Sequence, residues 1–180
     1  MKKSLILFAA IVMMAGFTTK VMAQATVTGT TAGAKIIVPL ALTQTAVLHM
    51  GTMSVLAGTA GTCILSTNNI RTTGGAGGVT LSAMNPPSTN AAYHVVGEPL
   101  YDYAITLPAS INVSNGTPAD DMLINALTTK CLSESSDGLI GTLLAVDGDD
   151  DFTVGGTLNV AAGQTAGVYA GAFNVTVNYY

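Results

Sequence analysis

Apolar and small polar residues alternate one by one along the C-terminal stretch of this chain, and a two-residue period confines it to extended structure. Tyr169, Gly171, Phe173, Val175, Val177 and Tyr179 fall on one side, and Ala170, Ala172, Asn174, Thr176 and Asn178 on the other. Successive side chains of a strand point to opposite faces, so this pattern predicts a strand with one apolar face. The same period recurs upstream. Phe152, Val154, Leu158 and Val160 alternate with Thr153, Gly155, Thr157 and Asn159, and Tyr101, Tyr103, Ile105 and Leu107 alternate with Asp102, Ala104 and Thr106. Residues 36–42, 62–66, 122–127 and 139–146 also read as strands, some apolar on both faces, as strands inside a packed sandwich are. No segment carries a sustained helical stripe with caps. Gly- and Asn-rich breaks separate the runs, among them Gly74–Gly78, Asn85-Pro86-Pro87, Asn115-Gly116 and Asp147-Gly148. Many short strands divided by such turns predict an all-β domain, a sandwich or a barrel. Neither an internal repeat nor a linker interrupts the pattern, so one domain is expected.

Composition narrows the function. The chain is 49% hydrophobic and 9% charged, against roughly 25% charged for an ordinary soluble domain. Intrinsic disorder requires the opposite balance. A formal charge of −4 excludes a protein that grips nucleic acid through dense Lys/Arg contacts to phosphate. The N-terminus reads as a leader: Met1-Lys2-Lys3 is basic, Leu5 to Phe17 is apolar for 13 residues, and Val21-Met22-Ala23 offers small residues before a cut at Gln24. That run falls short of the roughly 20 residues a membrane helix needs, so a cleaved signal peptide is expected, with no membrane span in the mature chain. The expected organisation is a signal peptide at 1–23, an N-terminal arm at 24–34 and a β-sandwich domain at 35–180. The mature chain then keeps three cations, Lys35, Arg71 and Lys130, against ten acids, a formal charge of −7. Its expected location is the periplasm, then the cell surface or the medium.

Export sets the reading of Cys63 and Cys131. In an oxidising compartment one disulfide is the expectation, with free thiols the alternative. The bridge would close a loop worth roughly 4 kcal/mol by the chain-entropy argument. Two cysteines and the distant His49 and His94 make no ligand constellation, so no metal and no cofactor are expected. Neither histidine sits near a nucleophile motif, and both read as structural. Gly74–Gly78 lacks the Lys and helix of a phosphate loop. The acidic run Asp147 to Asp151 lacks the bidentate Glu of a calcium loop and reads as a solvated turn. No catalytic residue is expected, and the chain is read as a non-enzyme.

Gly167 stands fourteenth from the C-terminus and Tyr179 is penultimate, with Tyr169, Phe173, Val175 and Val177 alternating between them. This resembles the C-terminal strand signature of pilin subunits assembled by the chaperone–usher route. The resemblance implies an Ig-like, pilin-like antiparallel sandwich that lacks one strand. A periplasmic chaperone would grasp the C-terminal strand, and a neighbour's N-terminal arm would later complete the sandwich. In this chain Val27 is the one bulky residue of the arm. A wider resemblance runs from Pro39-Leu40-Ala41-Leu42 through Leu48-His49-Met50-Gly51, Gly97-Glu98-Pro99 and Tyr103 to Pro108, on to Val154 to Leu158 and Gly167 to Gly171. These segments are similar, in this order, to a family of exported bacterial proteins catalogued only as a domain of unknown function.

Two functions follow as expectations. The first is a structural fimbrial or adhesion subunit that pairs strands with copies of itself or with related subunits, served by a chaperone and usher. The second is a secreted or periplasmic module that binds glycan or Ca²⁺ through Tyr101, Tyr103 and the Asp147 to Asp151 segment.

Overall fold

The computed structural model describes residues 28–180. The expected signal peptide at 1–23 and the arm residue Val27 lie outside the described residues. Residues 28–35 are exposed and carry no regular secondary structure. From there the chain runs β1 (Ala41–Ala46), β2 (His49–Met50), β3 (Met53–Val55), β4 (Gly61–Leu65), β5 (Arg71–Gly74), β6 (Val79–Leu81), β7 (Ser88–Thr89), β8 (Ala91–Val96), β9 (Asp102–Thr106) and β10 (Ser110–Val113). A 3₁₀ turn at Pro118–Asp120 leads to β11 (Met122–Cys131), β12 (Ile140–Thr142), β13 (Asp149–Val160) and β14 (Thr176–Tyr179).

β13 is the spine of a seven-stranded antiparallel sheet. One of its edges is shared: β8 takes the first half, with Phe152 opposite Tyr93, and β4 takes the second, with Leu158 opposite Cys63. β1 extends the sheet beyond β8, and β5 extends it beyond β4. β11 lies along the other edge and is followed by β10. The facing layer holds the three-stranded sheet β12-β9-β14 and two small two-stranded pairs, β2–β7 and β3–β6. The protein is therefore an all-β antiparallel sandwich, as the periodicity predicts.

The period-2 rule decides what is inside. Along β13, Asp150, Phe152, Val154, Leu158 and Val160 are buried, while Asp151 is exposed and Thr153, Thr157 and Asn159 are half-buried. Each large apolar side chain so buried contributes roughly 1.5–3 kcal/mol. β11 changes parity halfway. Its register against β13 shifts between Asn125 and Thr128, where Ala126 takes a positive φ of 47°. Met122 and Ile124 face inward before this bulge, and Thr129 and Cys131 face inward after it. An extra residue in one strand re-aims every side chain beyond it. The interior accordingly divides into two groups. One gathers Cys63, Leu65, Ile111, Met122, Ile124 and Leu158. The other gathers Tyr93, Val95, Tyr103, Cys131, Leu143, Phe152 and Val154. Over the first group, the Arg71 guanidinium donates to the carbonyls of Met50, Thr52 and Ser82 and so ties down the small two-stranded pairs.

Three strand boundaries differ from the expectation. Residues 36–40 are not in a strand, because Pro39 has no N–H to give a ladder and both backbone groups of Val38 are engaged by side chains. The run expected at 139–146 is paired only over Ile140–Thr142, after which the chain turns back through Leu144 to Gly148. The C-terminal strand is paired over Thr176–Tyr179 and at one isolated bridge, Ala170 to Ser114.

Candidate assembly edge

The C-terminal segment lies along the rim of the sandwich. Tyr169, Phe173, Val175, Val177 and Tyr179 are half-buried, and the residues between them are exposed. Gly167 is exposed in a bend ahead of the segment and adds nothing to its apolar face. Tyr169 and Phe173 pack on the first core group, and Phe173, Val175, Val177 and Tyr179 pack on the second. The segment is anchored at both ends. At its start the Tyr169 hydroxyl donates to Thr165 O at 2.7 Å and accepts from Gln164 Nε2 and Asn115 Nδ2, while Ala170 and Ser114 exchange two backbone bonds. Gly171 follows at a point where a Cβ would stand 2.1 Å from the carbonyl oxygen of Asn112, so only glycine passes. At its end β14 pairs with β9, Thr176 opposite Thr106 and Tyr179 opposite Tyr103.

Between these anchors, the backbone groups of residues 171–175 have no hydrogen-bond partner among the described residues. β14 is also the last strand of its sheet, and β1 is the last strand of the facing one. Leu40 and Leu42 on the β1 side and Val175, Val177 and Tyr179 on the β14 side cover the second core group only partly. An open backbone edge beside half-covered apolar side chains is what an added strand requires, with main-chain bonds for affinity and alternate side chains for register.

One end of this seam is tied. The Tyr179 hydroxyl donates to Val38 O and accepts from the backbone N–H of Glu98 at 2.7 Å. The Glu98 carboxylate accepts from the Val38 N–H at 3.1 Å. Gly97 allows the approach, since a Cβ there would meet Tyr179 Oη at 2.5 Å and Leu40 Cδ2 at 2.8 Å. Tyr101 meets the Tyr179 ring edge-on, centroids 5.7 Å apart.

Two sequence expectations are corrected here. Cys63 and Cys131 are both free and buried. Cys63 pairs with Leu158 across one edge of β13, and Cys131 pairs with Phe152 across the other. Six strand residues amount to about 20 Å along β13, whereas a disulfide needs Cα atoms within about 7 Å. The bridge is not formed, and burial pushes both thiols above the usual cysteine range. The binding surface expected from Tyr101, Tyr103 and residues 147–151 has two of its residues, Tyr103 and Asp150, in the interior. Only Asp147 and Gly148 make the turn, and Asp149 to Asp151 belong to β13. Period 2 then turns Asp150 inward and leaves it 2% exposed. Its carboxylate accepts from the Ser133 hydroxyl and N–H, from the Asp151 N–H at 2.9 Å and from the Tyr103 hydroxyl at 2.9 Å. Tyr103 is fully buried, and its hydroxyl also lies 3.5 Å from Cys131 Sγ. Desolvation, then the neighbouring Cys131 and Asp150, push the Tyr103 phenol far above its ordinary range.

The histidines are accounted for locally. His94 Nδ1 is 2.8 Å from Asp151 Oδ1 across the β8–β13 ladder, and His49 Nδ1 accepts from the Gly51 N–H. No group of three His, Cys, Asp or Glu side chains capable of holding a metal occurs among the described residues. No helix among the described residues is long and apolar enough to cross a membrane. The buried Asp150–Tyr103–Ser133 network was not singled out in the sequence. Its one available signal was the parity of Asp150 with Phe152 and Val154.

Residues 40–179 match the family model of the domain of unknown function DUF4402. The chain belongs to this family. The match begins just after the Val38 tie and ends at Tyr179, so both edge strands of the seam, β1 and β14, lie inside the DUF4402 domain. No curated protein and no solved structure matches the chain.

Proposed function

We propose that this DUF4402 chain is a non-catalytic, exported bacterial subunit that assembles with copies of itself or with related subunits by pairing strands along its C-terminal edge. The observation that carries the reading is the stretch 171–175: outside any strand, packed on the core through Phe173 and Val175, anchored at both ends, with its backbone groups unpaired among the described residues. A monomer that leaves such an edge open beside apolar side chains is a template for another chain. The leader-like N-terminus supports export to the periplasm and then the surface, where a chaperone and usher of the pilin type would handle the open edge. Residues 28–34, exposed and without strand structure, belong to the segment available for donation.

The test is deletion of Ala25 to Gly33 with the leader and cleavage site kept. Secreted material is then examined for oligomers that survive mild heating in detergent. Oligomers from the full chain and none from the deletion are expected. Unchanged polymers in the deletion would refute donation by the arm, and their absence from the full chain would refute assembly itself.

A further inference from the structure

The tie at the end of the seam does more than satisfy polar groups. Val38 stands three residues before β1, the edge of one sheet, and Tyr179 closes β14, the edge of the other. Both backbone groups of Val38 are held by side chains, Glu98 for the N–H and Tyr179 for the carbonyl, where a strand would hold them with a ladder. Two residues before this point, the Ile36 side chain is 95% exposed. Side-chain bonds on an exposed segment open locally without unfolding the sheets. An incoming strand that follows β14 to its end meets this tie.

We propose that Tyr179, Glu98 and Val38 form a latch that closes one end of the β1–β14 seam and withholds it from a strand of a second copy. This rests on the strand-pairing reading above. It adds a point of control, since the same hydroxyl that ends the acceptor strand pins the segment through which the arm leaves its own domain. Opening the latch frees the last turn of the acceptor edge and the root of the arm together.

The experiment compares the secreted full chain with Tyr179→Phe and Glu98→Ala. The first keeps the ring and its packing against Tyr101, and the second leaves Tyr179 intact, so one remains informative if the other folds poorly. Hydrogen exchange at the Val38 amide reads the latch, and the rate of formation of detergent-resistant oligomers reads the seam. Exchange at Val38 is expected to quicken roughly tenfold in Glu98→Ala, which removes the acceptor of that N–H, the scale of one lost hydrogen bond, and by a smaller factor in Tyr179→Phe, which frees the Val38 carbonyl. Oligomers are expected to form several-fold faster in both. Unchanged exchange at Val38 in both variants would overturn the latch. Faster exchange with an unchanged oligomer rate would overturn its gating role and leave strand pairing standing. If neither full chain nor variants form oligomers with the latch open, strand pairing fails, and gating with it.

Discussion

The two ends of the second core group answer the same problem in opposite ways. Around Tyr103, four segments converge, β9, β11, β13 and the Ser133 loop, and the Asp150 carboxylate receives four hydrogen-bond donors in a site closed to water. Around Phe173 and Val175, one face packs on the core, yet the backbone beside it is unpaired among the described residues. Both regions arise from alternating sequence, and both line the same interior. What separates them is neighbours: β13 has a strand on each edge, and the C-terminal segment has one on a single edge, over part of its length. A half-paired strand keeps its apolar face inward while leaving its edge chemically unfinished.

The sharpest way to break this contrast is to truncate a ring in each region. Phe152→Ala, at a fully enclosed site stacked on Tyr93 at 5.0 Å, should cost about 3–5 kcal/mol in urea unfolding. Phe173→Ala should cost roughly half that in the monomer, because a half-buried ring loses less transfer free energy and leaves an open notch rather than a cavity. Equal losses would mean that the rim is as closed as the centre.

Replacing Asp150 by Ala comes next in size. It strands the Tyr103 hydroxyl and the Ser133 donors in a dry site, at a cost of about 2–3 kcal/mol read from the same unfolding curves. A loss under about 0.5 kcal/mol would show that water reaches the network after all.

The smallest effect is alkaline. The folded state holds Cys63, Cys131 and Tyr103 protonated above their ordinary ranges by burial. The unfolded chain ionises its thiols near pH 8.5 and its tyrosines near about 10, so above those values it binds fewer protons than the native state. Stability is therefore full below the thiol range and falls as pH rises through it, by at most about 1.4 kcal/mol per pH unit for each such group. Urea midpoints at pH 7, 8.5 and 9 would show the decline. A flat profile would mean that the enclosed region is hydrated, and it would erase the contrast with the rim. In the same samples, two thiols should react with a maleimide only after unfolding.

Period 2 by itself determined the class. Alternation in residues 152–160 and 169–179 leaves no helical alternative, because only a strand puts every second residue on one side, and the same rule placed Phe152, Val154, Leu158 and Val160 in the interior before any contact was known. Asp147-Gly148 likewise marked a turn through local backbone preference. Local pattern stops short wherever a distant segment decides. The bulge at Ala126 moves the inward parity of β11 from Met122 and Ile124 to Thr129 and Cys131, and no residue-by-residue alternation announces it. The separation of Cys63 from Cys131 depends on which partners each takes along β13, a matter of pairing and not of compartment. Asp150 belonged to an acidic run whose charge favours solvent, against its inward parity with Phe152, and only Tyr103 from β9 and Ser133 from a loop satisfy its buried carboxylate. The open edge at 171–175 is of the same kind. The apolar stripe was written in the sequence, but an edge is defined by the strand that is not beside it, and only the tertiary arrangement of all the others reveals that.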